Sequence, residues 1–213
     1  MTSTVQDVMT SNVVALRKEA QFKEIVRAMR RRHFSALPVL DSAGHVVGVV
    51  SEADLLLKEA YPASPEDGGG APRRRDRAKA AALTAADLMT SPAITIAPDA
   101  GVTEAARLMH KSRVKRLPVV TPAGGLVGIV SRIDVLGLYD RKDDDIRDEI
   151  LDDVITEDFL LDPGSFDVQV AAGVVTIRGA TQKAAIARSL LDVIWHVAGV
   201  VDVRDRLSYP GER

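Results

Sequence analysis

One unit is written twice in this chain. Residues 7–56 align with residues 87–136 without a gap, at a constant offset of 80. Asp7-Val-Met-Thr-Ser is answered by Asp87-Leu-Met-Thr-Ser, and Leu37-Pro38-Val39 by Leu117-Pro118-Val119. Met29 falls on Met109, Gly48 on Gly128, Ser51 on Ser131 and Asp54 on Asp134. Two copies of one unit predict two half-modules packed with pseudo-twofold symmetry. The repeated polar residues then sit in related clefts, an arrangement suited to sensing a small ligand.

Each copy shows the same order of elements. Phe22, Ile25, Val26 and Met29 recur at helical spacing, as do Val102, Ala105, Ala106 and Met109. Asp99 is expected to cap the second of these helices. A strand follows around 37–40 and 117–120, then turn material at 41–44 and 121–124, then the apolar runs 46–50 and 126–130. Ser51 and Ser131 each end that run and open a helix. Between the copies, Pro62, Pro65, Gly68-Gly-Gly70 and Pro72 read as flexible, followed by the basic run Arg73-Arg-Arg75, Arg77 and Lys79.

After Leu136 the pattern changes. Asp143-Asp-Asp145 opens a helix whose face carries Ile146, Ile150, Leu151 and Val154, the acids favouring the positive helix end. Phe166, Val168 and Val170 alternate as a half-buried strand, Ala172-Gly173 makes a hairpin turn, and 174–178 returns. Ile186, Leu190, Leu191, Ile194 and Val197 mark another helix, and Val201, Val203 and Leu207 a last strand. The expected fold class is mixed α+β / α/β: two related units of small sheets and helices, plus a small C-terminal α-β-β-α-β domain. The expected segments are 1–60, a flexible linker 61–83, a second unit 84–142 and a tail domain 143–213.

Composition narrows the function. A chain of 213 residues, 46% hydrophobic and 27% charged, is ordinary for a soluble globular protein. A net charge of −2 gives no general pull toward nucleic acid, and no nucleic-acid partner is expected. With no cysteine, disulfides and thiolate metal sites are excluded. No apolar run reaches the roughly 20 residues that span a bilayer, and the first residues lack a basic-then-apolar signal pattern. The expectation is a cytoplasmic protein. His33, His45, His110 and His196 are scattered, and no Walker-type loop is present, so no enzyme is expected.

The Asp-x-Met-Thr, Leu-Pro-Val and Gly-x-Val-Ser-x-x-Asp pieces together resemble a tandem pair of CBS domains, a Bateman module, over about 5–60 and 84–140. Val170-Ala-Ala-Gly-Val-Val-Thr-Ile-Arg-Gly179 makes the tail, about 144–210, resemble a BON domain. The resemblance implies that the pair binds an adenosyl ligand: AMP, ADP, ATP or S-adenosylmethionine, with no further cofactor required. It implies a homodimer through the pair, and a BON-like domain that meets a peripheral membrane surface, a polymer or a protein. The expected function is a regulatory adenine-nucleotide sensor that modulates contacts of the BON-like domain. The alternative is a tethering protein with empty clefts.

Ser51 with Asp54 and Ser131 with Asp134 each form a capping-box pattern, sufficient by itself to explain them. The functional reading adds position. A helix start favours an anionic phosphate, and a carboxylate suits the paired hydroxyls of a ribose. The resemblance implies that this Asp contacts the ribose and this Ser lies near the phosphate. It also implies purine walls from Val14 or Ile94, with Ala36 and Pro38 or Arg116 and Pro118. Core packing is the competing reading for Val14 and Ile94. Lys115, Arg116 and Arg132 lie near the second motif in sequence and are expected to bind phosphate, which makes the Asp134 cleft the tighter one. Arg30, Arg31 and Arg32 read as a solvated helix end.

Overall fold

The computed structural model describes residues 3–61 and 74–209. The first repeat runs α1 (Val5–Val8), β1 (Leu16–Arg17), α2 (Phe22–Arg32), β2 (Ala36–Leu40), β3 (Val46–Ser51) and α3 (Glu52–Ala60). Then come α4 (Arg74–Ala81) and the second repeat: α5 (Ala85–Leu88), α6 (Val102–Ser112), β4 (Arg116–Val120), β5 (Leu126–Ser131) and α7 (Arg132–Leu136). The remainder is α8 (Asp143–Glu149), a π-helical stretch (Ile150–Asp158), β6 (Phe166–Ala171), β7 (Val174–Ala180), α9 (Ala184–Trp195) and β8 (Asp202–Ser208). Two compact units result. One is Met9–Ala100 with Glu104–Ser131, and the other is Met1–Val8, Gly101–Thr103 and Arg132–Arg213.

In the first unit β1, β2 and β3 form one sheet, with β1 parallel and β3 antiparallel to β2. β4 and β5 pair in the register of β2 and β3 shifted by 80, down to the bulge at Val39/Leu40 and Val119/Val120. Ile96 makes one parallel bridge to Val119 where Leu16 pairs with Val39. The copies grip each other reciprocally. Thr10 exchanges two backbone hydrogen bonds with Ile129, both 3.0 Å, and Thr90 exchanges two with Val49, at 2.8 and 3.1 Å. Each pair is the other displaced by 80. His45 bridges Gly125, its own counterpart at the same offset, so the pseudo-twofold axis passes there.

The same symmetry explains two sequence features. A methyl at Gly48 would lie 2.5 Å from Met89 Sδ, and one at Gly128 would collide with Met9 Sδ. The glycine of each strand therefore makes room for the methionine of the other copy's Asp-x-Met-Thr motif. The acid of that motif is a cap. Asp7 accepts from the Thr4 amide and hydroxyl at 2.8 and 2.6 Å, and Asp87 from the Thr84 hydroxyl at 2.7 Å.

Two expectations need correction. Asp99 does not cap α6, which begins three residues later at Val102. The first amide of α6 donates instead to Ser3 O (3.1 Å), as the Phe22 amide of α2 donates to Leu83 O (2.9 Å). A backbone carbonyl thus meets the start of α6, where the Asp99 side chain was expected. Second, α4 occupies the later part of the 61–83 stretch read as a flexible linker, and its Lys79 is buried. The Pro/Gly-rich part, 62–73, lies outside the described residues.

The C-terminal domain has its own core: Ile146, Ile150, Val154, Ile155, Val168, Val175, Ile177, Leu190 and Ile194. Its sheet order is β6-β7-β8, with β6 antiparallel and β8 parallel to β7. The α8 face continues with an extra residue per turn. Phe159 N donates to Val154 O and Thr156 Oγ1 to Leu151 O, each five residues back. That winding buries Ile155 beside Val154 and leaves Leu151, expected in the core, at its edge. Ala172 (φ 51°) and Gly173 (φ 73°) form the hairpin turn, both with the positive φ of a type I′ turn. Asp143 does more than favour a helix dipole: its carboxylate accepts from both turn amides at 2.8 Å.

Candidate functional site

Within the first unit a cleft of about 290 Å³ opens between the two repeats, near the lower end of ligand-sized pockets. The first repeat supplies Ser35 and Ala36 at the start of β2, Val49 and Ser51 of β3, and Glu52, Ala53 and Asp54 of α3. The second supplies Thr90, Pro92, Ala93 and Ile94 after α5, and Arg113 to Arg116 before and at the start of β4. The reciprocal Thr90–Val49 pairing brings these halves together.

Three kinds of surface meet here. Ala36, Val49, Pro92, Ala93, Ile94 and Val114 give apolar walls. Ile94 is 37% exposed, so it is a wall open to the cleft rather than core. Arg113, Lys115 and Arg116 give three cations against Glu52 and Asp54. Arg113, just past α6, takes a left-handed backbone (φ 56°), as its counterpart His33 does (φ 55°), and this turn delivers Val114 to Arg116 to the cleft. Arg116 reaches across the repeats, donating through Nη2 to Ser35 Oγ and through Nη1 to Ala36 O.

Asp54 lies at the base of α3. Its Oδ2 accepts from the Ser51 amide (2.8 Å) and hydroxyl (2.7 Å), so the capping reading of this pair is correct as far as it goes. Its Oδ1 accepts from Lys79 Nζ of α4, which also donates to Thr90 Oγ1 at 3.0 Å. The Asp54 and Lys79 side chains are only 13% and 6% exposed.

The cleft joins six of the residues singled out from sequence: Ser51, Asp54, Ala36, Ile94, Lys115 and Arg116. Pro38 and Pro118 are buried in β2 and β4 and do not line it. Val14 packs against the core of the first repeat, the competing reading for that residue. Ser131 ends β5, and Arg132 and Asp134 lie in the first turn of α7. Sequence proximity assigned Lys115 and Arg116 to Asp134, but they line the cleft of Asp54, because each cleft wall is drawn from both copies. Lys79, Ser35 and Thr90 were not foreseen. An offset of 80 shows that the units are alike, but not which edge of one faces which edge of the other.

Apolar walls, a carboxylate at a helix start and a cationic rim match the parts of an adenosine phosphate. The family comparisons agree with the architecture. The CBS domain model matches residues 5–60 and 85–141, more than half of the chain. The chain belongs to the CBS-domain family. The BON domain model matches 142–211, so a CBS pair is followed by a BON domain. Among curated relatives, the uncharacterized protein MJ1426 of Methanocaldococcus jannaschii is 31% identical over 150 residues, covering 62% of this chain and 88% of that protein. Among solved structures, CBSX2 of Arabidopsis thaliana, in a complex with AMP, superposes with a TM-score of 0.55 at 26% identity. That match covers 63% of this chain and 94% of CBSX2. The CBS pair of MJ0100, in complex with 5′-methylthioadenosine and S-adenosyl-L-methionine, shares the fold with a TM-score of 0.54 at 21% identity, over 66% of this chain and 98% of its own.

Among the described residues, no helix is long and apolar enough to cross a membrane, and no group of three or more His, Asp or Glu could hold a metal ion.

Proposed function

We infer that the CBS pair is a sensor of adenine nucleotide, with the cleft of Ser51 and Asp54 as its binding site. The observation that carries this reading is the placement of Arg113 and Lys115 beside the apolar slot of Ile94 and Ala93, at the start of α3. The base lies between the apolar walls, the ribose hydroxyls face Asp54, and the phosphate meets Ser51 and the cations. The AMP complex of CBSX2 supports the ligand class. AMP, ADP and ATP are the first candidates, with S-adenosylmethionine next. No turnover is assigned. The protein acts in the cytoplasm as a homodimer through the CBS pair, and ligand occupancy alters what the BON domain contacts, a membrane surface or a protein.

A thermal-shift panel tests this. A ligand at about 100 times its Kd stabilises the folded state by about 2.7 kcal/mol, an upward shift of several degrees. The absence of any shift with all four compounds at millimolar concentration contradicts the reading. The tethering alternative, with empty clefts, draws on one observation: a lysine of the protein itself, Lys79, pairs with Asp54. Under that alternative, full-length protein sediments with anionic vesicles equally with and without nucleotide.

A further inference from the structure

The carboxylate expected to face a ribose already accepts three hydrogen bonds, one of them from a buried ammonium. Asp54 Oδ2 holds the amide and hydroxyl of Ser51, which keep the start of α3 in place. Asp54 Oδ1 holds Lys79, and the same ammonium holds Thr90, which the second repeat contributes to the cleft. Lys79 belongs to neither repeat. It comes from α4, the helix that follows the Pro/Gly-rich stretch.

The attachment of α4 is built from two lysines. Lys58 of α3 donates to Ala80 O and Ala82 O, both at 3.1 Å, satisfying carbonyls at the end of α4. Lys79 of α4 returns the contact to Asp54 of α3. Against α3 it presents little apolar surface: Arg74, Arg75, Arg77 and Ala78 are exposed, and Lys79 is its one buried residue. A helix of eight residues is marginal in water by itself. Its docking therefore depends on the two clasps, one of which ends on the atom that a ribose requires.

We propose that α4 is a latch on the nucleotide cleft: a ribose diol takes Asp54 Oδ1 from Lys79, and occupancy of the cleft releases α4. The inference rests on the nucleotide reading of that cleft. The exchange is local. Oδ2 stays with Ser51, so α3 keeps its cap, while Oδ1 trades an ammonium for a hydroxyl donor and Lys79 moves toward solvent or phosphate. The undocked α4 changes the presentation of Arg74, Arg75 and Arg77, so ligand state is converted into the state of a basic segment. A protein whose competent form must first break a contact binds with affinity reduced by the fraction in that form. Lys79 then acts as an affinity-setting residue.

Hydrogen exchange on the full chain, read beside calorimetry with AMP and with adenosine, tests this. Saturating AMP should speed exchange of the 74–81 amides at least tenfold in the wild-type protein. Lys79→Met, which keeps the chain length and removes the charge, should bind adenosine about tenfold more tightly. It should gain much less for 2′-deoxyadenosine, which offers one hydroxyl fewer. If AMP binds by calorimetry while α4 exchange is unchanged or slowed, the latch is wrong and the nucleotide reading survives. If Lys79→Met binds adenosine no better than wild type, the latch is likewise overturned. If neither protein binds AMP or adenosine, the nucleotide reading itself fails and takes the latch with it. The wild-type exchange measurement needs no substitution, so a poorly folding variant does not remove the test.

Discussion

Gly48→Ala adds one methyl where the structure leaves none. The new carbon would lie 2.5 Å from Met89 Sδ, 2.8 Å from its Cγ and 3.0 Å from its Cβ. Real carbon contacts sit near 3.5–4.0 Å, so Met89 must move by about an ångström. A thioether end could swing away alone, but Met89 Cβ is fixed by its backbone, and the next residue, Thr90, is held by two hydrogen bonds to Val49. The displacement therefore acts on the ladder that joins the repeats. Overpacking of this kind costs about 1–3 kcal/mol. Met89→Ala removes the obstacle at the cost of a cavity, about 2–5 kcal/mol for a fully buried side chain and less here because Met89 is half-buried. In the double variant the added methyl fills part of that space, so the two losses should fall short of additive by about 1–3 kcal/mol. Urea unfolding followed by far-UV circular dichroism measures the cycle. The single tryptophan, Trp195, lies in the C-terminal unit, so its fluorescence serves as the internal reference. Additive losses, or a Gly48→Ala protein as stable as wild type, would refute the reasoning that these glycines exist to admit the partner copy's methionine.

Other consequences follow from single contacts. Asp143→Ala removes the acceptor of the Ala172 and Gly173 amides and should cost the C-terminal domain about 1–3 kcal/mol, seen as an earlier Trp195 fluorescence transition in urea. Arg113→Ala with Lys115→Ala should weaken AMP binding about tenfold and adenosine binding little, with the difference shrinking as salt screens exposed charges; calorimetry at two ionic strengths reads it. The Asp7 carboxyl is held below its ordinary value of 3.8, first by the Thr4 hydroxyl and then by the Thr4 amide. Its folded-state value is depressed, so its contribution is complete above the unfolded value and fades as pH falls through the folded one. Asp7→Asn should lower the urea midpoint at neutral pH and flatten the acid side of the midpoint–pH curve below about pH 4, where the two proteins converge.

Much of the architecture was legible because it is local or repeated. The offset of 80 implied a pseudo-twofold, and the bridges Thr10–Ile129, Thr90–Val49 and His45–Gly125 realise it. The alternation of Phe166, Val168 and Val170 and the Ala172-Gly173 turn gave the hairpin directly. What escaped depends on long-range partners. Asp99 looked like a cap because the carbonyl that serves α6, Ser3 O, is about a hundred residues away in sequence. The lysine that clasps Asp54 lies 25 residues from it, in a run whose composition says only that it is basic. Lys115 and Arg116 were assigned to Asp134 by sequence proximity, whereas the exchange of strand edges between repeats carries them to Asp54. The capping geometry of Ser51 and Asp54 was readable, but its second use, holding a lysine at the cleft, was not.

Calorimetric titration of AMP into the full-length protein and its Ile94→Trp variant tests the central assignment. Ile94 is a partly exposed cleft wall, so an indole there fills the base slot without entering the core. The account predicts saturable AMP binding to the wild-type chain and loss of that binding in Ile94→Trp. No heat from the wild-type chain, or the same isotherm from both proteins, would contradict it.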